Sequence, residues 1–473
     1  MVFNSIEFAI FFPLVFLLYW LFFNKQTKLR NLFLILASYF FYGVWDWRFL
    51  ILIFISSLGD YLFGTQIFNS ESVNKRKLYL AFSVCLNLGI LGFFKYFNFF
   101  IDNFVNIFTL FGKEFSYESM NIILPVGISF YTFQTMSYTF DIYYNRLKPT
   151  KNPIAFFAFV SFFPQLVAGP IERAKKLLPQ FHNVISPNYT KIRSGLLTIA
   201  MGLFLKIVIA DRLAIFVDGV FGNIKDANGL PILVGIIFFS FQLYLDFSAY
   251  SQIAIGTAST LGFDLSENFR RPYLSKSFSD FWTRWHISLS SWFRDYLYIP
   301  LGGNRKTQFH TMRNVVIVFI LSGLWHGASW NFIIWGGLNG LFLIILDRFL
   351  TKTNKYPFFK TLFVITCWTI SLFFFRAKTL AESVQGLFSL GFFNQANLYN
   401  FGLNAFEFKF VTCLLIGLVI MEILTEKKFD LLTWITSKPR IIRYIFYLFF
   451  AVSILLFGAY GVGHDSKFIY FQF

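Results

Sequence analysis

The sequence predicts an all-α protein that crosses a membrane many times, and three observations carry that prediction. Of 473 residues, 56% are hydrophobic and only 14% are charged, against about 25% charged in soluble domains. The apolar stretches are long and do not alternate as barrel strands do, so they match helices that cross about 30 Å of hydrocarbon. The basic residues, which give a formal charge of +17, are scattered between these stretches. That distribution fits basic cytoplasmic loops and not a nucleic-acid surface, so no nucleic-acid partner is expected. The 71 phenylalanines are read as apolar bulk.

The elements follow in chain order. The first apolar run, residues 6–23, lacks a basic leader and an Ala-x-Ala cleavage site, so it is expected to remain as a first helix. Lys25, Lys28 and Arg30 come next, which places the N-terminus outside and this loop in the cytoplasm. A second span over 31–44 ends at a tight Trp45-Asp46-Trp47-Arg48 corner, and a third over 49–68 leads to Lys75-Arg76-Lys77. Spans over 78–94 and 121–143 follow, the latter returning to Arg146, Lys148 and Lys151. The run 153–170 breaks this parity, since it contains Pro164 and is basic on both flanks. A segment with both ends on one side is re-entrant, which a bilayer permits only where protein or water covers the broken backbone.

Spans over 194–220 and 231–257 each hold ionisable residues, Lys206, Asp211 and Arg212 in one and Asp246 in the other. Such residues face a bundle interior or a cavity. Helices over 359–375, 406–424 and 441–462 complete a set of about eleven or twelve spans in one integral-membrane domain, residues 1–473. No soluble domain and no short-period repeat is visible. Cys85, Cys367 and Cys413 lie in apolar segments without CxxC spacing, so neither a zinc site nor a disulfide framework is expected.

The chain is organised around residues 277–339, which hold three of the five histidines. Ser277-x-x-Asp280 reads as a capping box, so a helix over 278–298 is expected. Its apolar positions Phe281, Trp285, Leu289, Trp292 and Tyr296 recur every three or four residues, with Arg284, Ser288, Ser291 and Asp295 on another side. Such a helix is too charged to span and belongs at the cytoplasmic interface. His286 falls on its apolar stripe, where a structural and a functional imidazole both fit. Residues 299–305, Ile-Pro-Leu-Gly-Gly-Asn-Arg, form a turn. Between Arg313 and Asp347 there is no charge, and a continuous helix there would run about 50 Å, too long for one straight span. A break near Gly323 and Gly327 solves this and leaves His326 about 20 Å from Arg313, inside the hydrocarbon. An ionisable group at that depth is a functional candidate, with a neutral imidazole bonded to a neighbouring helix as the plain alternative. A neutral imidazole suits a general base that takes a proton from a hydroxyl attacking an acyl carbonyl. There is no Gly-x-Ser-x-Gly elbow, and no metal-ligand spacing joins the histidines. His182, His310 and His464 are placed in loops.

Arg-Trp-His286-x-Ser-Leu-Ser-x-Trp-Phe-Arg-Asp-Tyr, then Tyr-Ile-Pro-Leu-Gly-Gly-Asn-Arg and Leu-Trp-His326-Gly, resemble the membrane-bound O-acyltransferase family. Within it the chain is similar to the alginate O-acetylase branch of bacterial polysaccharide acetylases. Supporting segments are Met1–Ser5, residues 124–130, 165–171 and 244–251, and the C-terminal Lys467-Phe-Ile-Tyr-Phe-Gln-Phe473, so the likeness covers nearly the whole chain. The resemblance implies a ring of tilted helices around a thinned funnel or tunnel. It implies transfer of an acyl group, usually acetyl, from a cytoplasmic thioester such as acetyl-CoA to a hydroxyl, with no tightly bound cofactor. It further implies a bacterial inner-membrane location, an extracytoplasmic acetyltransferase partner and a polysaccharide acceptor. On that footing His326 is the catalytic base, and His286 and Asp295 position or polarise groups near the cytoplasmic mouth. Arg284, Arg294 and Arg305 are candidates to attract the anionic donor, with anchoring to lipid headgroups as their plain alternative. Asp246 is carried as a further candidate for donor binding. The competing expectations are D-alanyl transfer to teichoic acid and a transporter or assembly subunit without acyl chemistry.

Overall fold

The computed structural model describes residues 1–112, 120–224, 227, 229–352, 355–391, 397–460 and 468–469. Among these residues all regular structure is helical, with no strand. A backbone that leaves water has to satisfy its N–H and C=O groups within each segment, and the helix does so. Eight helical runs among the described residues are long and apolar enough to cross a membrane. They are Ile6–Phe23, Thr27–Asn69, Val73–Thr109, Leu230–Thr260, Trp330–Thr351, Pro357–Arg376, Ala405–Glu426 and Arg440–Phe457. The protein is a multi-pass, all-α membrane protein.

These runs differ in bookkeeping from the expected spans. Two of those spans form the single 43-residue run Thr27–Asn69, whose corner is a 3-10 turn at Trp47–Phe49 capped by Asp46, which accepts from Arg48 N–H at 3.0 Å. The span expected from residue 121 starts only at Ile128, after Pro125 and a left-handed Gly127 (φ 77°). Residues 194–220 fall in two helices, Tyr189–Leu203 and Asp211–Gly222, joined by a π-helical turn at Phe204–Ala210. Arg30, expected in a cytoplasmic loop, is fully buried in the Thr27–Asp46 helix. It donates to the carbonyls of Phe181 at 2.9 Å and Asn183 at 2.6 Å, which leaves no need for water at that charge.

The chain divides into two compact units. The first comprises Met1–Tyr189, Ala258–Ser266 and Gly327–Ser329. Here the 153–170 segment is a broken helix, Pro153–Ser161 followed by Phe163–Leu166, as its prolines foretell. Protein covers the break. Gln134 and Gln165 each donate from Nε2 to Phe159 O, at 2.9 and 2.8 Å, and Ser38 Oγ accepts from Phe163 N–H at 3.0 Å. A side chain on Gly127 would press on the Leu166 carbonyl, so glycine permits the close approach.

The second unit comprises Thr190–Thr257, Glu267–His326 and Trp330–Phe473. Its core is aromatic: Trp285, Trp335 and Trp368 are all nearly inaccessible, and Trp368 packs 4.8 Å from Trp285 and 5.9 Å from Trp335 between ring centres. Around this cluster sit both histidines singled out by the sequence.

Candidate active site

The element that delivers His326 is Gln308–His326, which ends on the histidine itself, with Trp330–Leu341 running back against it. The chain turns at 327–329, where the break was expected near Gly327. Gly323 is not part of the break; it lies inside the helix. A Cβ on Gly323 would collide with the Phe332 carbonyl, and one on Gly336 with the Phe319 carbonyl. These glycines let two helix backbones touch, the small-residue contact that membrane helices use where no hydrophobic force drives them together. His326 is 5% exposed and is ringed by Trp325 at 5.0 Å, Trp335 at 5.1 Å and Phe375 at 5.5 Å.

The expected continuous helix over 278–298 is corrected. The chain forms Phe278–Arg284, passes through an extended Trp285 and a left-handed His286 (φ 43°, ψ 54°), and resumes as Ile287–Phe293 and a π turn at Arg294–Tyr298. Ser277 does cap the first piece, accepting from Asp280 N–H at 3.1 Å. A left-handed residue other than glycine costs about 1–2 kcal/mol, and such strain gathers at functional sites. Asn268 holds the break. Its carbonyl accepts from Ile287 N–H at 2.9 Å, and its Oδ1 accepts from Ser288 N–H at 3.2 Å and Ser288 Oγ–H at 2.9 Å. The same Oδ1 lies 3.2 Å from His286 Nδ1. A backbone N–H can only donate, so this oxygen is an acceptor and His286 carries its proton on Nδ1, with the lone pair on Nε2. Burial pushes the His286 pKa down to about 3, so the ring is neutral. Periodicity gave no sign of the break, and Asn268, in an irregular stretch, carried no sequence signal.

His286 and His326 line one cavity of about 410 Å³, together with Trp282, Trp285, Phe319 and Ser322. Val315, Val318, Phe319, Ser322 and His326 lie along one face of their helix, at the spacing of its turns. The cavity therefore follows that face for about 16 Å below the histidine. Arg294 also lines it, half-turned to solvent and paired with its neighbour Asp295 at 2.9 Å.

Arg284, Asp295, Arg305 and Asp246 are not in the lining. Arg284 is neutralised by Asp280 at 2.7 Å and Glu426 at 3.0 Å. Arg305 is exposed in the 299–307 turn, which buried Asn314 pins by donating to Gly303 O at 3.0 Å. Asp246 is buried with Lys206 and Asp211: Lys206 contacts both carboxylates, at 2.7 Å for Asp211, and Asp246 accepts from Ile469 N–H at 2.7 Å. Of the other histidines, His182 follows a short 3-10 turn and meets Thr150 Oγ1 at 3.2 Å. His310 was expected in a loop and stands instead in the first turn of Gln308–His326, 2.7 Å from Thr307 Oγ1. His464 lies outside the described residues, as does most of the C-terminal motif. Among the described residues no group of three or more His, Cys, Asp or Glu side chains could hold a metal.

A helical membrane protein that buries two histidines on one apolar cavity is the class of molecule in hand, and relatives name the class further. The model of the membrane-bound O-acyltransferase family matches residues 144–381. The chain is 41% identical over 403 residues to a probable alginate O-acetylase of Pseudomonas putida, covering 83% of this chain and 81% of that protein. It is 36% identical over 433 residues to a peptidoglycan O-acetyltransferase of Helicobacter pylori, covering 84% and 81%. A teichoic acid D-alanyltransferase of Bacillus subtilis is 30% identical over 244 residues, covering 50% and 62%. The chain belongs to the membrane-bound O-acyltransferase family and is an O-acyltransferase.

Proposed function

We propose that the protein O-acetylates an exported polysaccharide, drawing the acetyl group from a cytoplasmic thioester, with His326 as general base and His286 in support. The observation that carries the reading is the sharing of one cavity by His286 and His326. Relatives named for acetylating alginate and peptidoglycan support the acetyl group and the glycan.

In the step proposed, His326 takes the proton of an acceptor hydroxyl as that oxygen attacks the thioester carbonyl. The new C–O bond forms, the C–S bond breaks, and the imidazolium returns the proton to the leaving thiolate. The acceptor at this step is either the glycan or an extracytoplasmic partner protein that passes the acetyl group on. Neutral His286 sits in the same cavity and fixes the geometry of the donor side. Arg294, the arginine of the lining, is largely exposed and suits an anionic donor such as acetyl-CoA. The same reading puts the protein in the bacterial inner membrane with its N-terminus outside.

The test is the acetyl-ester content of the exported polysaccharide in cells making wild type, His326→Ala and His286→Ala at matched membrane levels. Loss of a general base lowers rates by about 10²–10⁴-fold, so His326→Ala is expected to remove the ester and His286→Ala to reduce it. Esters that persist in His326→Ala would overturn the assignment. Release of D-alanine instead of acetate on mild alkaline hydrolysis would favour the D-alanyl reading, to which the teichoic acid relative points over half of the chain.

A further inference from the structure

A second set of buried polar groups lies in the first unit. Three of its helices, Leu50–Asn69, Val73–Leu91 and Ile128–Tyr143, each contribute two polar residues four apart, one helical turn. The pairs are Ser56 and Asp60, Ser83 and Asn87, and Thr135 and Thr139, all 0–1% exposed. They stack in two layers. In one, Ser56 Oγ donates to Asn87 Oδ1 at 2.6 Å and Thr135 Oγ1 donates to the same oxygen at 3.1 Å. In the other, Ser83 Oγ stands 2.6 Å from Asp60 Oδ1 and 2.9 Å from Thr139 Oγ1. Asn87 Nδ2 joins the layers, donating to Asp60 Oδ2 at 2.7 Å.

Asp60 is the group that needs explaining. It lies about 14 Å from either end of its helix, Leu50–Asn69, which belongs to a run long and apolar enough to cross a membrane. An ionised carboxylate there costs several kcal/mol unless a cation compensates it. Among the described residues its carboxyl oxygens meet Ser83 and Asn87 and no cation. Arg76 donates to Tyr143 O and Asn145, and Asp141 meets Arg146 at 3.8 Å. Tyr138 OH accepts from Thr150 N–H, and Tyr61 OH donates to Lys151 O. Lys75, Lys77 and Tyr79 lie toward the start of Val73–Leu91, at least one helical turn before Ser83. The Pro153–Ser161 helix, which packs on Leu50–Asn69, carries no titratable side chain.

We propose that Asp60 and its five neighbours form a proton-binding site, in which Asp60 is held as the neutral acid at neutral pH. With the proton on Oδ1, every group finds a partner in one direction. Asp60 O–H donates to Ser83 Oγ, Ser83 O–H to Thr139 Oγ1, and Thr139 O–H to Met136 O at 3.0 Å, so the relay ends on a backbone carbonyl. Asp60 Oδ2, the remaining carbonyl oxygen, accepts from Asn87. A proton thus replaces the missing cation, and the three helices are keyed together without a buried charge.

The test is infrared difference spectroscopy of the full-length protein in sodium-free buffer at neutral pH, wild type against Asp60→Asn. The amide of the variant keeps the same donor and acceptor directions, so it is expected to fold with little change in thermal midpoint. The spectrum should show one carboxylic-acid C=O band in wild type that the variant lacks. Ser83→Ala serves as a second probe: removing the acceptor of the Asp60 proton should shift that band without abolishing it. A difference spectrum with only carboxylate bands overturns the proposal, and so does a band that Ser83→Ala leaves unmoved. Thermal stabilisation of wild type by added sodium that Asp60→Asn does not share also overturns it, and assigns the oxygens to a metal cation.

Discussion

His286 shows how one residue can be placed by its neighbours against its own preference. Its backbone is left-handed and its ring is fixed by Asn268 and enclosed by Phe247 at 4.6 Å. Because burial lowers its pKa to about 3, the folded ring stays neutral where an unfolded histidine would take a proton, below about pH 6.5. The unfolded state then binds more protons, so stability is lost as pH falls from about 6.5 toward 3. His286→Gln removes that linkage. Thermal midpoints measured across this window should fall less steeply with acidification in the variant than in wild type; equal slopes would show that His286 is not the group. Arg284 makes the converse point. Its sequence position suggested an anion site, yet Asp280 and Glu426 occupy its guanidinium.

At the scale of elements, the helix pair around Gly323 and Gly336 sets the position of His326. Gly323→Ala and Gly336→Ala each force a methyl group into the facing backbone, and overpacking of this kind costs about 1–3 kcal/mol. Both variants should lose thermal stability and acyltransfer together. Gly337→Ala is the control, since nothing lies within 4 Å of a Cβ there. If Gly323→Ala matches Gly337→Ala in both measurements, the close contact does not hold the site. The break at Trp285–His286 belongs to this scale too, because an unbroken helix would not give Asn268 the donors of Ile287 and Ser288.

At the scale of the whole molecule, three buried charges are held together. Lys206 sits between Asp211 and Asp246, all three under 10% exposed. Removing one partner of a buried ion pair costs about 3–5 kcal/mol, because the charge left behind has no compensation. Lys206→Met should therefore lower the thermal midpoint sharply in detergent. The triple variant with Asp211→Asn and Asp246→Asn should recover most of the loss. A triple variant no more stable than Lys206→Met would mean that the cluster is not held together by charge.

The sequence by itself determined the class of fold, most spans, the broken segment at 153–170, the turn at 327–329 and His326 as a candidate. All of these rest on apolar run length, prolines, glycines and charge order, which are properties of neighbouring residues. The family followed from motifs of the same local kind. Only the tertiary structure decided that His286 shares a cavity with His326, that Asn268 orients it, that Glu426 takes up Arg284, and that Asp246 answers to Lys206. Those partners are 18 to 142 residues apart along the chain. No local period encodes such a pairing, because it is fixed by which helix faces meet once backbone bonds are satisfied and buried charges must find one another.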